Sequence, residues 1–378
     1  MPRFSFDRSA LLSVVPILTK VVPKEVGKTH AFRQFLRLTG QDGRLEIEAT
    51  NEVCWMRTFV DVEVEERGVM LVKAGRLKDV LNVVTDDRMT IEDVGTEILL
   101  AAGLRKEFSI PKSLIEEAWS GQEDRAKFDS GLLVSFADLT KAIDRCGVAV
   151  SRKEHRVFAG TDGMLVEFSN RDLTFVGTNG QVLSRQTIPA QNVDFDPTTI
   201  KGQMIIPLPT MELLGGLKGC ETVLVAPGKE LICFRAEGKE FKTIELVSRL
   251  SEGRFPPWKQ VVPVKTRQAT VRGYYLLKAI RQASILSDDG FVRLAFDHKA
   301  NKGRATAVGQ TSGRSRAEFA AESPASIEFR VSSKCLLDAV NAFPTDIDLR
   351  IGFTAPDAPI VLSEQDFDFV VVTASGSR

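Results

Sequence analysis

The residue types that most often do chemistry are sparse and scattered in this chain of 378 residues. The five cysteines, none of them in a CxxC pair, are Cys54, Cys146, Cys220, Cys233 and Cys335. The three histidines, His30, His155 and His298, are far apart, and none lies beside a cysteine. We therefore expect buried, reduced thiols and no zinc site, because zinc sites need grouped Cys and His ligands.

The best catalytic fragment is His155 with Glu154 and Asp162, which could form an acid–base set. A histidine on a surface loop is the alternative, because proximity in sequence is not proximity in space. The chain has no GxSxG elbow, no Walker lysine loop and no HExxH motif. The sequence thus favours a protein that is not an enzyme and has no cofactor and no metal.

The composition is that of a globular protein with substantial cores, since 43% of the residues are apolar. Basic and acidic residues number 50 each, so the formal net charge is zero. Any nucleic-acid surface must then come from segregation of charge on the folded chain. Neither a signal peptide nor an apolar run of ~18 residues is visible, so we expect a cytoplasmic protein with no membrane contact.

One strand-then-helix pattern occurs six times along the chain. The last apolar residue of each predicted strand, called the anchor below, is Phe6, Val72, Val134, Ile206, Val271 or Val331. Another apolar residue stands two positions before each anchor, as a half-buried strand requires. Apolar residues five, eight and nine positions after it predict an amphipathic helix, with Gly215 as the exception. Pro16 lies inside the first helix and should kink or shorten it.

Turn signals and the order of the units predict the fold class. Asp42-Gly43, Asp162-Gly163 and Asn179-Gly180 suit tight hairpin turns, which need positive φ. Short strands at this spacing predict antiparallel sheets rather than a parallel βαβ sheet. Alternate units resemble each other, so we predict an α+β fold of three repeated domains, near 1–125, 126–257 and 258–378, each with two helices.

Ordered motifs over nearly the whole chain resemble the bacterial β sliding clamp, the processivity subunit of DNA polymerase III. Residues 45–52 are similar to the family's strand ending in Ala-Thr-Asp, and residues 175–183 resemble its Val-Ala-Thr-Asp-Gly-His-Arg-Leu segment. Residues 252–258, with Val262-Pro263, resemble its Gly-Arg-Phe-Pro link into the third domain. Residues 283–287 resemble a stretch near the head-to-tail subunit contact.

The resemblance implies a homodimeric ring around double-stranded DNA, with twelve helices lining the hole and sheets forming the rim. Its partners would be DNA polymerase III, clamp-loader subunits and other proteins with clamp-binding motifs. By motif position, Arg105 and Phe108 would meet Ile285 and Leu286 of the second copy. Core positions within a domain are the alternative for Phe108, Ile285 and Leu286, and a monomeric module that does not close is the alternative assembly.

Helices that line a DNA hole should carry basic residues on their polar faces, because phosphate attraction needs no base contact. The candidates are Lys20, Lys24, Lys73, Arg76, Lys78, Lys141, Arg145, Arg152, Lys153, Lys278 and Arg281. Lys141 and Arg145 are four residues apart and should share a helix face. A mixed solvated surface is the alternative, since Asp79, Asp138 and Asp144 share these helices. We expect no base stacking, because aromatic residues are not interleaved with the basic ones.

The resemblance also implies a hydrophobic groove between the second and third domains that takes short peptide tails. The matching positions are Thr178, Gly180, Gln181, Val182, Leu183, Pro256, Gln260, Val261, Val370, Val371 and Val372. The family usually has His-Arg at Gln181-Val182, often Arg at Gln260, and a Met-Pro-Met-Arg ending where this chain has residues 372–378. These departures predict an altered peptide preference, as in a specialised or paralogous clamp.

Overall fold

The computed structural model describes residues 1–24, 28–103, 106–112, 129–152, 160–239, 243–264 and 266–374. Six helices lie within them, namely α1 (Arg8–Leu18), α2 (Ala74–Val83), α3 (Phe136–Gly147), α4 (Leu208–Gly215), α5 (Gly273–Ser284) and α6 (Ser333–Asn341). The 3-10 helices in these ranges, of which the longest is Lys28–Gln34, are omitted from this numbering.

The same residues form 26 strands. The first nine are β1 (Arg3–Asp7), β2 (Phe35–Gln41), β3 (Arg44–Thr50), β4 (Cys54–Asp61), β5 (Glu63–Glu66), β6 (Gly68–Lys73), β7 (Arg88–Asp93), β8 (Glu97–Ala102) and β9 (Lys106–Pro111). The next nine are β10 (Gly131–Ser135), β11 (Gly163–Phe168), β12 (Asp172–Thr178), β13 (Val182–Pro189), β14 (Gln191–Val193), β15 (Met204–Pro207), β16 (Cys220–Pro227), β17 (Leu231–Gly238) and β18 (Ile244–Arg249). The last eight are β19 (Arg267–Arg272), β20 (Phe291–Asp297), β21 (Lys302–Gly309), β22 (Gly313–Glu322), β23 (Ile327–Ser332), β24 (Asp348–Phe353), β25 (Ile360–Glu364) and β26 (Phe367–Val371).

The sixfold strand-then-helix prediction is confirmed. Each of the six helices begins directly after a strand that contains a predicted anchor. The residues five positions after the anchors are all fully buried; they are Leu11, Leu77, Leu139, Met211, Leu276 and Leu336. Gly215 is the last residue of α4, so the one exception in the apolar pattern coincides with the end of a helix. Burial of one stripe per helix, rather than helix propensity alone, stabilises these short elements.

Pro16 does not stop α1, which continues for two more residues and ends at Leu18. A proline cannot donate the backbone hydrogen bond to the residue four positions earlier. The Thr19 hydroxyl donates to the Pro16 carbonyl over 2.8 Å and so satisfies one acceptor of the last turn. The helix thus ends within one turn of the proline.

Two of the three predicted hairpin turns are confirmed. Asp42 and Gly43 have φ values of 52° and 76° and join β2 to β3, and Gly180, with φ 87°, lies between β12 and β13. The Asp162-Gly163 prediction is wrong, because Gly163 is the first residue of β11 and pairs there with Pro207.

The chain folds into two compact units. Unit 1 comprises Met1–Leu139, Ala190–Gly202 and Pro209–Leu250, and unit 2 comprises Thr140–Pro189, Gln203–Leu208 and Ser251–Arg378. Unit 1 contains a five-stranded sheet, β5-β1-β7-β8-β9, and a nine-stranded sheet, β14-β10-β16-β17-β18-β4-β3-β2-β6. Unit 2 contains a twelve-stranded sheet, β15-β11-β12-β13-β26-β25-β24-β19-β22-β21-β20-β23. The predicted α+β class is confirmed, and the domain boundaries at 125 and 257 stay a prediction.

The strand pair β13–β26 separates two apolar clusters of unit 2. On one face, Leu183 and Val370 pack with Phe255 and Trp258. On the other face, Val371 belongs to the larger core that also contains the buried stripes of α5 and α6. Successive strand residues point to opposite faces, so the register of β26 decides which valines face which cluster.

No helix in the described part of the chain is long and apolar enough to cross a membrane.

Candidate functional site

A cleft of about 760 Å³ opens within unit 2 beside the smaller apolar cluster. It is lined by Thr178, Gly180, Gln181, Val182, Leu183, Gln203, Arg254, Phe255, Pro256, Pro257, Trp258, Val261, Val370 and Val372. All but two of the groove positions implied by the sequence resemblance lie in this cleft, which is called the groove below.

The first wall of the groove is the tight turn between β12 and β13. The Thr178 hydroxyl donates to the Val182 carbonyl over 2.7 Å and accepts from the Gly180 backbone N–H over 3.2 Å. The Asn179 side chain accepts from the backbone N–H groups of Gln181 and Val182. These local bonds satisfy the turn's backbone groups from within, which holds the wall in one shape before anything binds.

The second wall is the segment that follows β18, and a glutamine fixes it. The Gln203 carbonyl oxygen accepts from the Phe255 backbone N–H over 2.8 Å, and its amide donates to the Phe255 carbonyl over 3.4 Å. The Trp258 indole N–H donates to Glu167 over 3.2 Å, and Lys259 pairs with the same carboxylate at 3.0 Å. Phe255 and Trp258 are buried, so this wall presents ordered aromatic side chains.

The third wall is the end of β26. Val370 is buried on the groove side, and the exposed Val372 extends the apolar surface outwards. The Val372 N–H donates to the Gln181 carbonyl over 3.1 Å, which ties this wall to the first. The prediction that Val371 lines the groove is wrong, because strand alternation places it in the opposite core, fully buried and paired with Val182.

Gln260 is also absent from the groove lining. It is exposed on the single helical turn Trp258–Gln260, which directs Trp258 rather than Gln260 into the apolar cluster. The sequence prediction for Gln260 is therefore wrong.

Five lining residues were missed by the groove assignment: Gln203, Arg254, Phe255, Pro257 and Trp258. All except Gln203 belong to the Gly-Arg-Phe-Pro-Pro-Trp motif, whose aromatic content was an available signal for an apolar wall. Gln203 gave no signal, because its role depends on hydrogen bonds to a backbone 52 positions away. Arg254 is the one charged side chain among the lining residues, so the groove is apolar with a single exposed cation at its edge.

Most of the described basic candidates are exposed. These are Lys20, Lys24, Lys73, Arg76, Lys141, Arg152, Lys278 and Arg281, whereas Lys78 is half-buried. Lys153 lies outside the described residues. Lys20 donates to the Gly216 carbonyl over 2.8 Å, and Arg76 lies 3.8 Å from Asp79 on the same helix. A phosphate role for these residues stays a prediction.

Arg145 does not lie on the exposed face of α3, so the prediction that it contacts DNA is wrong. Its guanidinium is buried, pairs with Glu364 at 2.5 Å and donates to Gln186 over 2.9 Å. It also lies 4.3 Å from the centre of the Phe367 ring. The side chain is fully engaged inside unit 2, while Lys141 one turn earlier is exposed.

The residues proposed for catalysis do not assemble into a described site. Glu154 and His155 lie outside the described residues, and no group of three or more His, Cys, Asp or Glu among the described ones could hold a metal. All five cysteines are free; four are buried as predicted, whereas Cys220 is half-buried. Burial raises the pKa of the Cys146 and Cys233 thiols to about 12, and that of Cys54 and Cys220 to about 11. Thiols with such pKa values are poor nucleophiles at neutral pH.

Solved structures similar to this chain share one fold with it over nearly its full length. The chain superposes on a DNA polymerase sliding clamp from Caulobacter crescentus with a TM-score of 0.86 and 20% identity, covering all of both chains. It superposes on a DNA polymerase III subunit beta clamp from Pseudomonas aeruginosa bound to griselimycin with a TM-score of 0.85 and 21% identity, covering 99% of this chain and 100% of that one. This chain has the β sliding clamp fold.

Curated sequences agree with the sliding clamp fold. A beta sliding clamp from Vibrio cholerae is 25% identical over 383 residues, covering 97% of each chain. One from Rickettsia bellii is 21% identical over 361 residues, covering 89% of this chain and 90% of its own length. No protein-family profile matches the chain. The protein is thus a divergent relative of the β sliding clamps, as the ordered motifs predicted.

The residues predicted to form the subunit contact of this clamp relative differ in exposure. Ile285 is 76% exposed just after α5, which rules out the core alternative for this residue. Leu286 is half-buried, and Phe108 is half-buried on β9, an edge strand. Arg105 lies outside the described residues. Val308 is 61% exposed and lies near the loop that follows α5, since the neighbouring Gly309 packs against the Leu286 carbonyl.

Proposed function

We propose that this chain is the subunit of a DNA sliding clamp. Two copies join head to tail into a ring that encircles duplex DNA and tethers other proteins to it, without catalysing a reaction. The observation that carries the proposal is a repeated strand pairing. The chain makes this pairing twice, and the two strands that would make it a third time, β9 and β22, do not pair with each other. The clamp fold of its relatives supports the same conclusion.

The repeated pairing joins the third strand after one helix to the third strand after another. Strand β4, third after α1, pairs with β18, third after α4, so that Met56 lies opposite Leu246. Strand β13, third after α3, pairs in the same way with β26, third after α6, so that Ser184 lies opposite Phe369. The corresponding strands after α5 and α2 are β22 and β9.

These two strands have no such partner among the described residues. Strand β9 ends its sheet, and β22 pairs with β19 only through Glu322 and Ala321. An unpaired edge exposes backbone N–H and C=O groups and favours pairing with another chain. The β9 strand of a second copy would extend the exposed edge of β22 and make the third pairing. Such head-to-tail contacts close into a ring when the rotation between copies permits it.

Side chains near both edges fit this closure. Phe108 lies in the middle of β9 and is half-buried, whereas Leu246 and Phe369 in the corresponding strands are fully buried. This difference in burial is expected if β9 lacks the neighbouring strand that covers Leu246 and Phe369 in the other two pairings. Ile285 and Val308 are exposed beside the β21–β22 turn and would supply apolar contacts for a second copy.

The proposed DNA contacts are the exposed basic residues on and beside the helices. Lys20, Lys73, Lys141 and Lys278 would attract phosphates without reading sequence, as sliding requires. Because the chain has zero net charge, these contacts depend on the local arrangement of charge and should weaken steeply with added salt.

The proposed occupant of the groove is an extended peptide tail. Candidate owners are DNA polymerase III, clamp-loader subunits and other proteins with clamp-binding motifs. An apolar floor with a hydrogen-bonding rim suits an extended peptide whose bulky apolar side chains enter the groove. A peptide containing a glutamine and bulky apolar residues should bind with a Kd of about 1 μM.

Two measurements together test the ring. Light scattering should give twice the chain mass of 41.7 kDa. After loading by a clamp loader, the protein should stay on nicked circular DNA and be lost once the circle is made linear. A chain of single mass that leaves both DNA forms equally fast would favour the monomeric binding module instead.

Ile285→Lys tests the interface assignment. A charge inside the buried contact should shift the protein to monomers at micromolar concentration without lowering its melting temperature. Val94→Lys is the matched control, because Val94 is also an exposed β-branched apolar residue but lies in the β7–β8 turn. A stable dimer in the Ile285 variant would contradict the assignment.

A further inference from the structure

The two tyrosines of this chain are neighbours on one exposed helix face. The sequence contains only Tyr274 and Tyr275, and both lie in the first turn of α5. Each is 53% exposed, and their rings meet edge to face with centroids 5.5 Å apart. Two half-exposed aromatic rings at one place leave apolar surface in water that the unit itself does not cover.

Basic residues share that face. At about 100° per residue, Lys278 and Arg281 fall about 40° and 20° from Tyr274 around the helix axis. Both are exposed, and so is Gln282. The opposite face of α5, which includes Leu276 and Ile280, is fully buried. The exposed face therefore combines aromatic and cationic side chains, and the expectation that none would be interleaved is wrong for this helix.

The charges around this face leave it cationic. Lys278 and Arg281 are exposed, and Arg281 donates to the neutral Asn341 of α6 over 3.4 Å. The nearby carboxylates of Asp338 and Asp348 pair with Lys334 at 3.0 Å and Arg272 at 3.5 Å. Asp346 is exposed in the segment that packs against the start of α5, and it makes no ion pair with the residues that the structure describes.

We propose that this face of α5 binds single-stranded DNA, with Tyr274 and Tyr275 stacking on unpaired bases and Lys278 and Arg281 holding the backbone. The proposal rests on the proposed clamp function, which brings DNA to the helices. Cationic grooves with aromatic platforms are how proteins hold single strands without reading sequence. In a duplex the base faces are covered by their neighbours, so duplex sliding needs only phosphate contacts and gives no role to the exposed rings. The unpaired strand beside a primer end is the form of DNA that offers both.

The presence of only two tyrosines makes the test selective. In protein grown with 3-fluorotyrosine, every ¹⁹F signal comes from Tyr274 or Tyr275. We expect both signals to shift on addition of a 20-nucleotide oligo(dT) and to stay in place with a 20-base-pair duplex. Heparin, a polyanion without bases, should leave them unshifted.

Two sets of variants separate stacking from charge. Tyr274→Ser with Tyr275→Ser should weaken oligo(dT) binding about 5-fold or more, the lower end of stacking on an aromatic side chain, and leave duplex binding unchanged. Tyr→Phe at both positions should keep oligo(dT) binding, because the ring and not the hydroxyl makes the contact. Lys278→Ser with Arg281→Ser should weaken binding to both forms of DNA.

Three results would overturn the proposal. Equal ¹⁹F shifts with heparin and with oligo(dT) would show a site for polyanions in general. An equal loss of duplex and oligo(dT) affinity in the Tyr→Ser variant would make the tyrosines duplex contacts. Loss of oligo(dT) binding in the Tyr→Phe variant would point to hydroxyl–phosphate hydrogen bonds. Retention on circular DNA reports on the clamp separately. A protein that is retained but shows no ¹⁹F shift refutes only this inference, whereas one that is neither retained nor binds duplex refutes the clamp function itself.

Discussion

Replacing Arg145 by Ala should destabilise unit 2 and leave DNA binding intact. The Arg145 guanidinium is buried between α3, β13 and β25, where it bonds Glu364 and Gln186 and covers the Phe367 ring. Truncation would leave the Glu364 carboxylate, itself only 20% exposed, without its cation. The same change would remove the ring contact and open a cavity against Phe367.

The expected loss is about 3 kcal/mol. Breaking a buried ion pair by removing one member costs about 3–5 kcal/mol, and the partial exposure of Glu364 places this case near the lower end. At about 2–4 °C per kcal/mol for a unit of 150–250 residues, the corresponding melting transition should fall by about 6–12 °C. Scanning calorimetry of the whole chain measures this shift directly.

Lys141→Ala is the matched control, because Lys141 lies one turn earlier on α3 and is exposed. It should keep the native melting temperature and weaken duplex binding at low salt, by the loss of about one phosphate contact. Arg145→Met combined with Glu364→Leu should recover much of the lost stability, since replacing both members of a buried pair by apolar groups is often near neutral.

The reverse pattern would refute the structural role of Arg145. If Arg145→Ala melted at the native temperature and lost duplex affinity as Lys141→Ala does, the guanidinium would have to reach solvent and phosphate. The sequence interpretation would then be right and the buried pair irrelevant to stability.

Three further predictions concern the groove, the thiols and the β21–β22 turn. Val372→Asp should weaken peptide binding about 10-fold, equivalent to about 1.4 kcal/mol, because it places a carboxylate on the apolar wall. The control Val264→Asp, at an exposed valine outside the groove lining, should leave peptide binding unchanged. Equal peptide affinity of the two variants, measured by fluorescence anisotropy, would contradict the groove assignment. Cys146 and Cys233 should resist Ellman's reagent at pH 8 until urea is added, because burial raises the pKa of both thiols to about 12; rapid native labelling of either, located by mass spectrometry, would oppose this. Hydrogen bonds from Ser312 and Thr311 lower the pKa of Asp288 below its ordinary value, so the Asp288 carboxylate stabilises the turn fully at neutral pH and loses that effect as the pH falls through the lowered pKa. The dimer fraction measured by light scattering should therefore fall in acid more steeply in the native protein than in Asp288→Asn. Identical curves would show that protonation of Asp288 does not affect the dimer.

The repeated elements were predictable because their signal is local. A strand ends where the apolar period changes from two to about 3.6, and that change can be read from side-chain types alone. Leu11 and Leu336, more than 300 residues apart, are both fully buried at the same point of that pattern. Asn179-Gly180 was predictable for the same reason, since a two-residue turn with positive φ requires such residues.

The errors at Val371 and Arg145 share one cause, because both assignments depend on which side of an element faces the core. Val371 was grouped with its neighbours Val370 and Val372, but alternation along β26 turns it to the other cluster. Arg145 was grouped with Lys141 because four residues separate them, but the buried stripe of α3 extends to include it. A basic residue inside a core is rare, and Glu364, Gln186 and the Phe367 ring stabilise Arg145 there.

By itself the amino-acid sequence determined the six strand–helix units, the antiparallel α+β class and the type of protein that the ordered motifs resemble. Those properties follow from periodicity and from motifs read along the chain. Tertiary structure alone decided that Gln203 braces the groove wall and that Tyr274 and Tyr275 lie exposed beside Lys278. Each of these depends on contacts or burial among residues far apart in sequence, and such contacts exist only once the strands have paired and the helices have packed.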